Sequence, residues 1–126
     1  RPHIKTYNGQ VLQTYLSPAA TAQLQTFSRN QRGSLFITLL ALWKVLLYRY
    51  SGQRDIIVGS PIAGRDHQVL ENQIGCYINT LAFRQQLHPE ESFQDFYQRL
   101  RAATLESFTH QRYPFAQLVD DLNPPR

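Results

Sequence analysis

Four histidines, one cysteine and two pairs of adjacent carboxylates are the obvious reactive groups in this chain. His3 stands in an extended start, His67 in a polar loop, His88 just before Pro89 at a strand end, and His110 at a helix junction. None has a second His, a Cys or clustered carboxylates at ligand spacing, so no metal site is expected. Cys76 follows Gly75, and neither a helix N-terminus nor an adjacent base is evident to activate it, which predicts a packed, inert thiol. No serine occupies a Gly-x-Ser-x-Gly turn, and the glycines are too dispersed for a phosphate loop. Glu90-Glu91 and Asp120-Asp121 sit at helix ends, where solvation and compensation of the helix dipole account for them. The residues alone therefore name no catalytic group.

Three irregular segments stand apart. Gly59-Ser60-Pro61-Ile62-Ala63-Gly64-Arg65 interrupts an apolar strand with two glycines and a proline. Ile74-Gly75-Cys76-Tyr77-Ile78-Asn79-Thr80 sets a polar amide among apolar strand residues. His110-Gln111-Arg112-Tyr113-Pro114-Phe115 gathers polar and aromatic groups at a helix junction. Taken singly, they read as a bulge, a buried hydrogen-bonded amide and a turn.

The elements that must position these segments form the pattern β-α-α-β-β-α-α, a mixed α/β (α+β) layer arrangement. Pro2 and an Asn8-Gly9 turn lead into a short strand candidate, Val11–Tyr15. Ser17-Pro18 starts a surface helix that runs to about Gln31. Ser34 caps the next helix, Leu35–Tyr50, and Gly52 closes it. That helix is apolar nearly all round and must be covered on most sides. Ile56-Ile57-Val58 predicts a strand covered on both faces. Residues 65–73 read as loop, and residues 77–87 alternate as a strand with Tyr77, Asn79, Leu81 and Phe83 on one side. Ser92 with Asp95 resembles a capping box, opening a helix to about Phe108 with Phe93, Phe96, Tyr97, Leu100, Ala103 and Leu105 near one face. A final helix starts at Pro114, turns Phe115, Leu118, Val119 and Leu122 inward, and stops at Pro124-Pro125.

Size and composition set outer limits. At 126 residues, 42% hydrophobic and 17% charged, the chain fits one globular domain. Its formal charge of +4 rests on thirteen basic residues scattered along the chain, without the cluster or helix stripe of a phosphate-binding surface. Nucleic-acid binding is not expected. The run Leu35–Tyr50 is interrupted by Thr38, Lys44 and Arg49 and is shorter than the ~20 residues of a membrane span. Arg1-Pro2-His3-Ile4-Lys5 has no apolar leader region, and a single cysteine fits a reducing cytoplasm.

In order, the three segments resemble condensation domains of nonribosomal peptide synthetases. Leu46-Leu47-Tyr48-Arg49-Tyr50-Ser51-Gly52-Gln53-Arg54-Asp55-Ile56-Ile57-Val58-Gly59-Ser60-Pro61 looks like the family's "L-L-x-R-Y-T-G-Q-x-D-I-x-V-G-T-P". Ile74 to Arg84 is similar to "I-G-x-F-V-N-T-L-x-L-R". His110 to Phe115 matches "H-Q-D-Y-P-F-E", except that Arg112 replaces Asp and Ala116 replaces Glu.

The resemblance implies a chloramphenicol-acetyltransferase-like fold of two lobes with a tunnel between them. Carrier proteins presenting thioesters on 4'-phosphopantetheine arms enter from opposite ends. An acceptor amine attacks the donor thioester beside an "H-H-x-x-x-D-G" motif from the first lobe. This sequence contains no such motif. The expectation is therefore that residues 1–126 form part of the C-terminal lobe, without the N-terminal lobe and the final strands, and bind no cofactor themselves. Expected partners are peptidyl and aminoacyl carrier proteins, the N-terminal lobe and an adjacent adenylation domain. By the same resemblance Asn79 lies near the tunnel and orients substrate or the catalytic loop. Ser60, Pro61, Arg65, His110 and Tyr113 shape the site, while Gly59, Gly75, Arg84, Pro114 and Phe115 brace it, Arg84 through an ion pair. Other readings are a non-catalytic carrier-binding or scaffolding lobe and an epimerisation-type relative, the latter disfavoured by the condensation-like Ile74–Arg84.

Overall fold

Ser17 accepts a hydrogen bond from the Ala20 amide and Pro18 fills the first helical position, so helix α1 (Pro18–Asn30) begins where the sequence places it. The computed structural model describes residues 8–124. The Arg1–Lys5 stretch, His3 and Pro125 lie outside that range. Ser34 caps α2 (Leu35–Ser51), and Gly52 ends it at φ 70° with its amide on the Tyr48 carbonyl. There follow β1 (Asp55–Ile62), a one-turn helix α3 (Gln68–Glu71), β2 (Asn79–Gln86), α4 (Phe93–Thr109) and α5 (Phe115–Leu122). At the start of α4, Ser92 Oγ accepts from the Asp95 amide and donates to the Asp95 carboxylate.

The two strands form an antiparallel ribbon in register from Asp55 opposite Gln86 to Ile62 opposite Asn79. Helices α2 and α4 pack on the ribbon and on each other, α1 packs on α2, and α5 lies against β2. The result is two layers, helices over sheet. Ile37, Leu40 and Ala41 of α2 meet Ile56, Leu81, Phe83 and Leu87 from the ribbon side and Phe96, Tyr97 and Leu100 of α4. Burying the Ile, Leu and Phe side chains among these contributes about 1.5–3 kcal/mol each.

Two polar features are built into this core. The Lys44 side chain is fully buried, and its ammonium donates to the Ile56 carbonyl at 2.8 Å and the Phe83 carbonyl at 2.7 Å, tying α2 to both strands. Desolvation pushes its pKa down to about 8, partly offset by the Asp55 carboxylate. Ser28, Thr38 and Tyr97 join their hydroxyls across α1, α2 and α4, at 2.6 Å and 3.1 Å.

Several expectations give way. Residues 11–15 form no strand, because no neighbouring strand accepts their backbone groups, and Val11, Leu12 and Tyr15 are exposed. The loop at 65–73 contains α3, capped by His67 Nδ1 accepting from the Val69 amide. β1 is covered on one face only: Ile56 is 6% exposed and Ile57 62%. Cover is likewise one-sided on α2, whose Leu39, Leu42, Trp43 and Leu46 are exposed. On α4 the buried fourth turn belongs to Thr104 rather than Leu105, which is 48% exposed. α5 leaves Phe115, Val119 and Leu122 exposed instead of inward.

Candidate functional site

The irregular segments converge at the Ile62/Asn79 end of the ribbon, and Asn79 organises them. Its Nδ2 donates to the carbonyls of Gln111 at 2.9 Å and Tyr113 at 2.8 Å, and its Oδ1 accepts from the Phe115 amide at 3.1 Å. One side-chain amide thus holds the α4–α5 turn through three backbone groups. Both of its N–H donors are used there, so the amide faces the turn. Pro114, which donates no hydrogen bond, sits between the clamped residues as the N-cap of α5. The Tyr113 hydroxyl donates to the Asp121 carboxylate, which holds the phenol in its neutral form and raises its pKa.

The segment between the strands is pinned by Arg65. Its guanidinium donates to the carbonyls of Leu70 and, at 3.1 Å, Gly75, and lies 4.5 Å from the centre of the Tyr77 ring. The neighbouring glycines permit this fold-back. Gly64 has φ 62°, and a Cβ there would stand 1.9 Å from the Tyr77 carbonyl oxygen. At Gly75 a Cβ would press on the Tyr77 ring at 3.0 Å. Tyr77 itself donates to Gln73 Oε1 at 2.6 Å.

Between this folded-back loop and the clamped turn lies an open cleft of about 710 Å³, lined among others by Asp66, His67, Cys76, Ile78, Asn79, Arg112 and Pro114. Across it Arg112 Nε donates to Asp66 Oδ2 at 2.5 Å, and the guanidinium holds the Asp66 carboxyl below the usual range.

Not every expected site residue reaches this cleft. Gly59 and Ser60 line a separate apolar groove of about 570 Å³ with Phe36, Leu39, Trp43 and Leu46. Pro61 stands opposite Thr80 in the ribbon. Arg84 makes a two-pronged ion pair with Asp55 at the far end of the ribbon, its closest approach 2.6 Å. His110 is exposed at the C-cap of α4, its carbonyl accepting from the Tyr113 amide. Cys76 is exposed rather than packed. Among the described residues no three His, Cys, Asp or Glu side chains gather closely enough to hold a metal ion, and no single helix is long and apolar enough to cross a membrane.

The partners of Lys44 and of Asp66 were not legible in the sequence. A lysine inside an apolar run signals a buried charge needing acceptors, but not which carbonyls supply them.

The two-layer packing of α2 and α4 on the antiparallel ribbon superposes on parts of solved condensation-domain structures. A four-domain nonribosomal peptide synthetase bound to AMP and glycine superposes with a TM-score of 0.85 at 25% identity, over 87% of this chain and 8% of that one. The SgcC5 protein from Streptomyces globisporus does so with a TM-score of 0.79 at 33% identity, over 85% of this chain and 24% of that one. The chain belongs to the condensation-domain family of nonribosomal peptide synthetases, whose Condensation domain model matches residues 1–126. Among curated relatives, a linear gramicidin synthase from Brevibacillus parabrevis is 46% identical over all 126 residues, which span 2% of that protein. A plipastatin synthase from Bacillus subtilis (strain 168) is 40% identical over the same length, 4% of that protein.

Proposed function

We propose that these residues form part of the C-terminal lobe of a condensation domain that joins carrier-tethered acyl and aminoacyl thioesters during nonribosomal peptide synthesis. The observation that carries this reading is the family match over residues 1–126. In the reaction, an acceptor amine adds to the donor thioester carbon, the C–N bond forms, the C–S bond breaks, and the amine's proton leaves with the departing thiol. Because the sequence holds no His-His-x-x-x-Asp-Gly motif, the histidine beside the reacting centre comes from the N-terminal lobe.

In this reading the chain's part is to build the floor and wall on which the substrates rest. Asn79 acts as a positioning residue: its three bonds fix the Gln111–Phe115 turn relative to β2. Arg65 and the two glycines fix the opposite wall. The partners are carrier proteins bearing 4'-phosphopantetheine, the N-terminal lobe and an adenylation domain, in the cytoplasm; the chain itself holds no cofactor.

The test compares the complete condensation domain with the 126-residue chain, each offered donor- and acceptor-loaded carrier proteins, with the condensed product followed by mass spectrometry. The complete domain is expected to form the amide and the chain alone to form none. Turnover by the chain alone would overturn the assignment of chemistry to the other lobe, and an inert complete domain would overturn the condensation reading.

A further inference from the structure

The cleft has two walls that are each held internally. Arg65 closes the Gly64–Ile78 loop on itself, and Asn79 ties the Gln111–Phe115 turn to β2. Among the described residues, Arg112 to Asp66 is the hydrogen bond that runs from one wall to the other. The Asp66 side chain is 21% exposed and the Arg112 side chain 75%, so the carboxylate belongs to the loop's packed surface and the guanidinium reaches over to it. Other titratable groups at the cleft are His67, which like Arg65 is a sequence neighbour of Asp66, and Cys76 and Tyr77 on the same lining.

We propose that the Asp66–Arg112 pair is a positioning device of this chain: it sets the spacing of the two cleft walls and thereby the placement of the tethered substrate between them. The inference rests on the condensation reading for its second half only. A carboxylate in place of Arg112 would face Asp66 with like charge. A pair this open to water is weak and screened by salt, so it biases the wall spacing without locking it.

A charge-exchange cycle in the complete condensation domain tests this: Asp66→Arg, Arg112→Asp, and both together. Amide hydrogen exchange across residues 66–73 is expected to quicken about two- to fivefold in each single variant and to return toward the wild-type rate in the double variant. The KM for carrier-bound substrate is expected to rise about two- to fivefold in the singles with kcat little changed, and to recover in the double. Should a single charge reversal fail to fold, Asp66→Asn, which removes attraction without adding repulsion, gives the same reading of exchange and KM. Additive effects, with no recovery in the double variant, overturn the pairing. Recovery of exchange without any effect on KM overturns the substrate-placing role. A wild-type domain that exchanges as expected but forms no amide leaves the wall spacing intact and overturns the condensation reading instead.

Discussion

The Lys44 ammonium lies 2.7 Å from the Phe83 carbonyl oxygen, so a helix in the apolar layer is pegged by a charge to the strand beneath it. Buried charges are costly unless paired, and this one is met by backbone dipoles rather than by a carboxylate.

That arrangement gives stability a particular pH dependence. The ammonium's pKa falls from 10.5 in the unfolded chain to about 8 in the fold. Between those values the unfolded state holds more protons than the folded one, so stability rises with pH across that window. The gain amounts to about 3 kcal/mol at most. Urea unfolding midpoints measured from pH 7 to 10.5 are expected to climb in the wild type relative to Lys44→Met, which removes the titrating group. Parallel curves for the two proteins would count against a buried ammonium.

Asn79 offers a test by sign. Asn79→Ala removes three hydrogen bonds and is expected to destabilise by about 1–3 kcal/mol. Asn79→Asp keeps the shape but turns a carboxylate toward the Gln111 and Tyr113 carbonyls, and is expected to be the more harmful of the two. Protease susceptibility of the Gln111–Phe115 turn ranks them directly. An Asp variant more protected than the Ala variant would contradict the donor geometry.

Gly33 sits under a buried phenol. A Cβ added there would stand 2.1 Å from the Tyr97 hydroxyl oxygen, which also bonds to Thr38. Gly33→Ala is expected to cost about 1–3 kcal/mol by overpacking. In Tyr97→Phe the hydroxyl is gone, so the added cost of Gly33→Ala should shrink. Thermal melts of the two singles and the double measure that coupling, and strict additivity would refute the contact.

Acid acts on the α4 entry. The Arg99 guanidinium grips the Glu91 carboxylate at two oxygens, 2.6 Å each, and also donates to the Gln86 carbonyl at 2.9 Å. This pairing holds the Glu91 carboxyl below its usual value of 4.5. The contribution is complete above pH 4.5 and is lost as pH falls through the depressed value. Acid titrations monitored by circular dichroism are expected to show a shallower loss in Glu91→Gln than in the wild type, with the difference confined to that window.

What the sequence revealed, and what it hid, follow from range. The ends of α2 were legible because Ser34 and Gly52 act on their own neighbours. β2 was legible because its inward Leu81 and Phe83 recur at period two. Lys44 was seen only as an interruption, since its acceptors come from residues 12 and 39 positions away. The Asp66–Arg112 pair spans 46 positions, and no local pattern announces it. Val11–Tyr15 has the composition of a strand, but a strand also needs a partner, and composition does not reveal one. For the same reason the amide of Asn79 could be recognised as unusual while its attachment to Gln111, Tyr113 and Phe115 could not.

The two-stranded ribbon has a consequence of its own. The Leu87 amide donates to the Arg54 carbonyl, so the alternation of an antiparallel ladder turns the backbone of Asp55, Ile57, Gly59 and Pro61 to the outer side of β1. Such a row of unsatisfied amides is a template on which a further strand can be laid. Pro61 deletes one donor from that row, whereas the β2 row from Asn79 to Gln86 contains no proline. The two borders of the sheet thus differ, the β1 border lacking one donor at Pro61 and the β2 border having its Gln86 carbonyl already taken by Arg99.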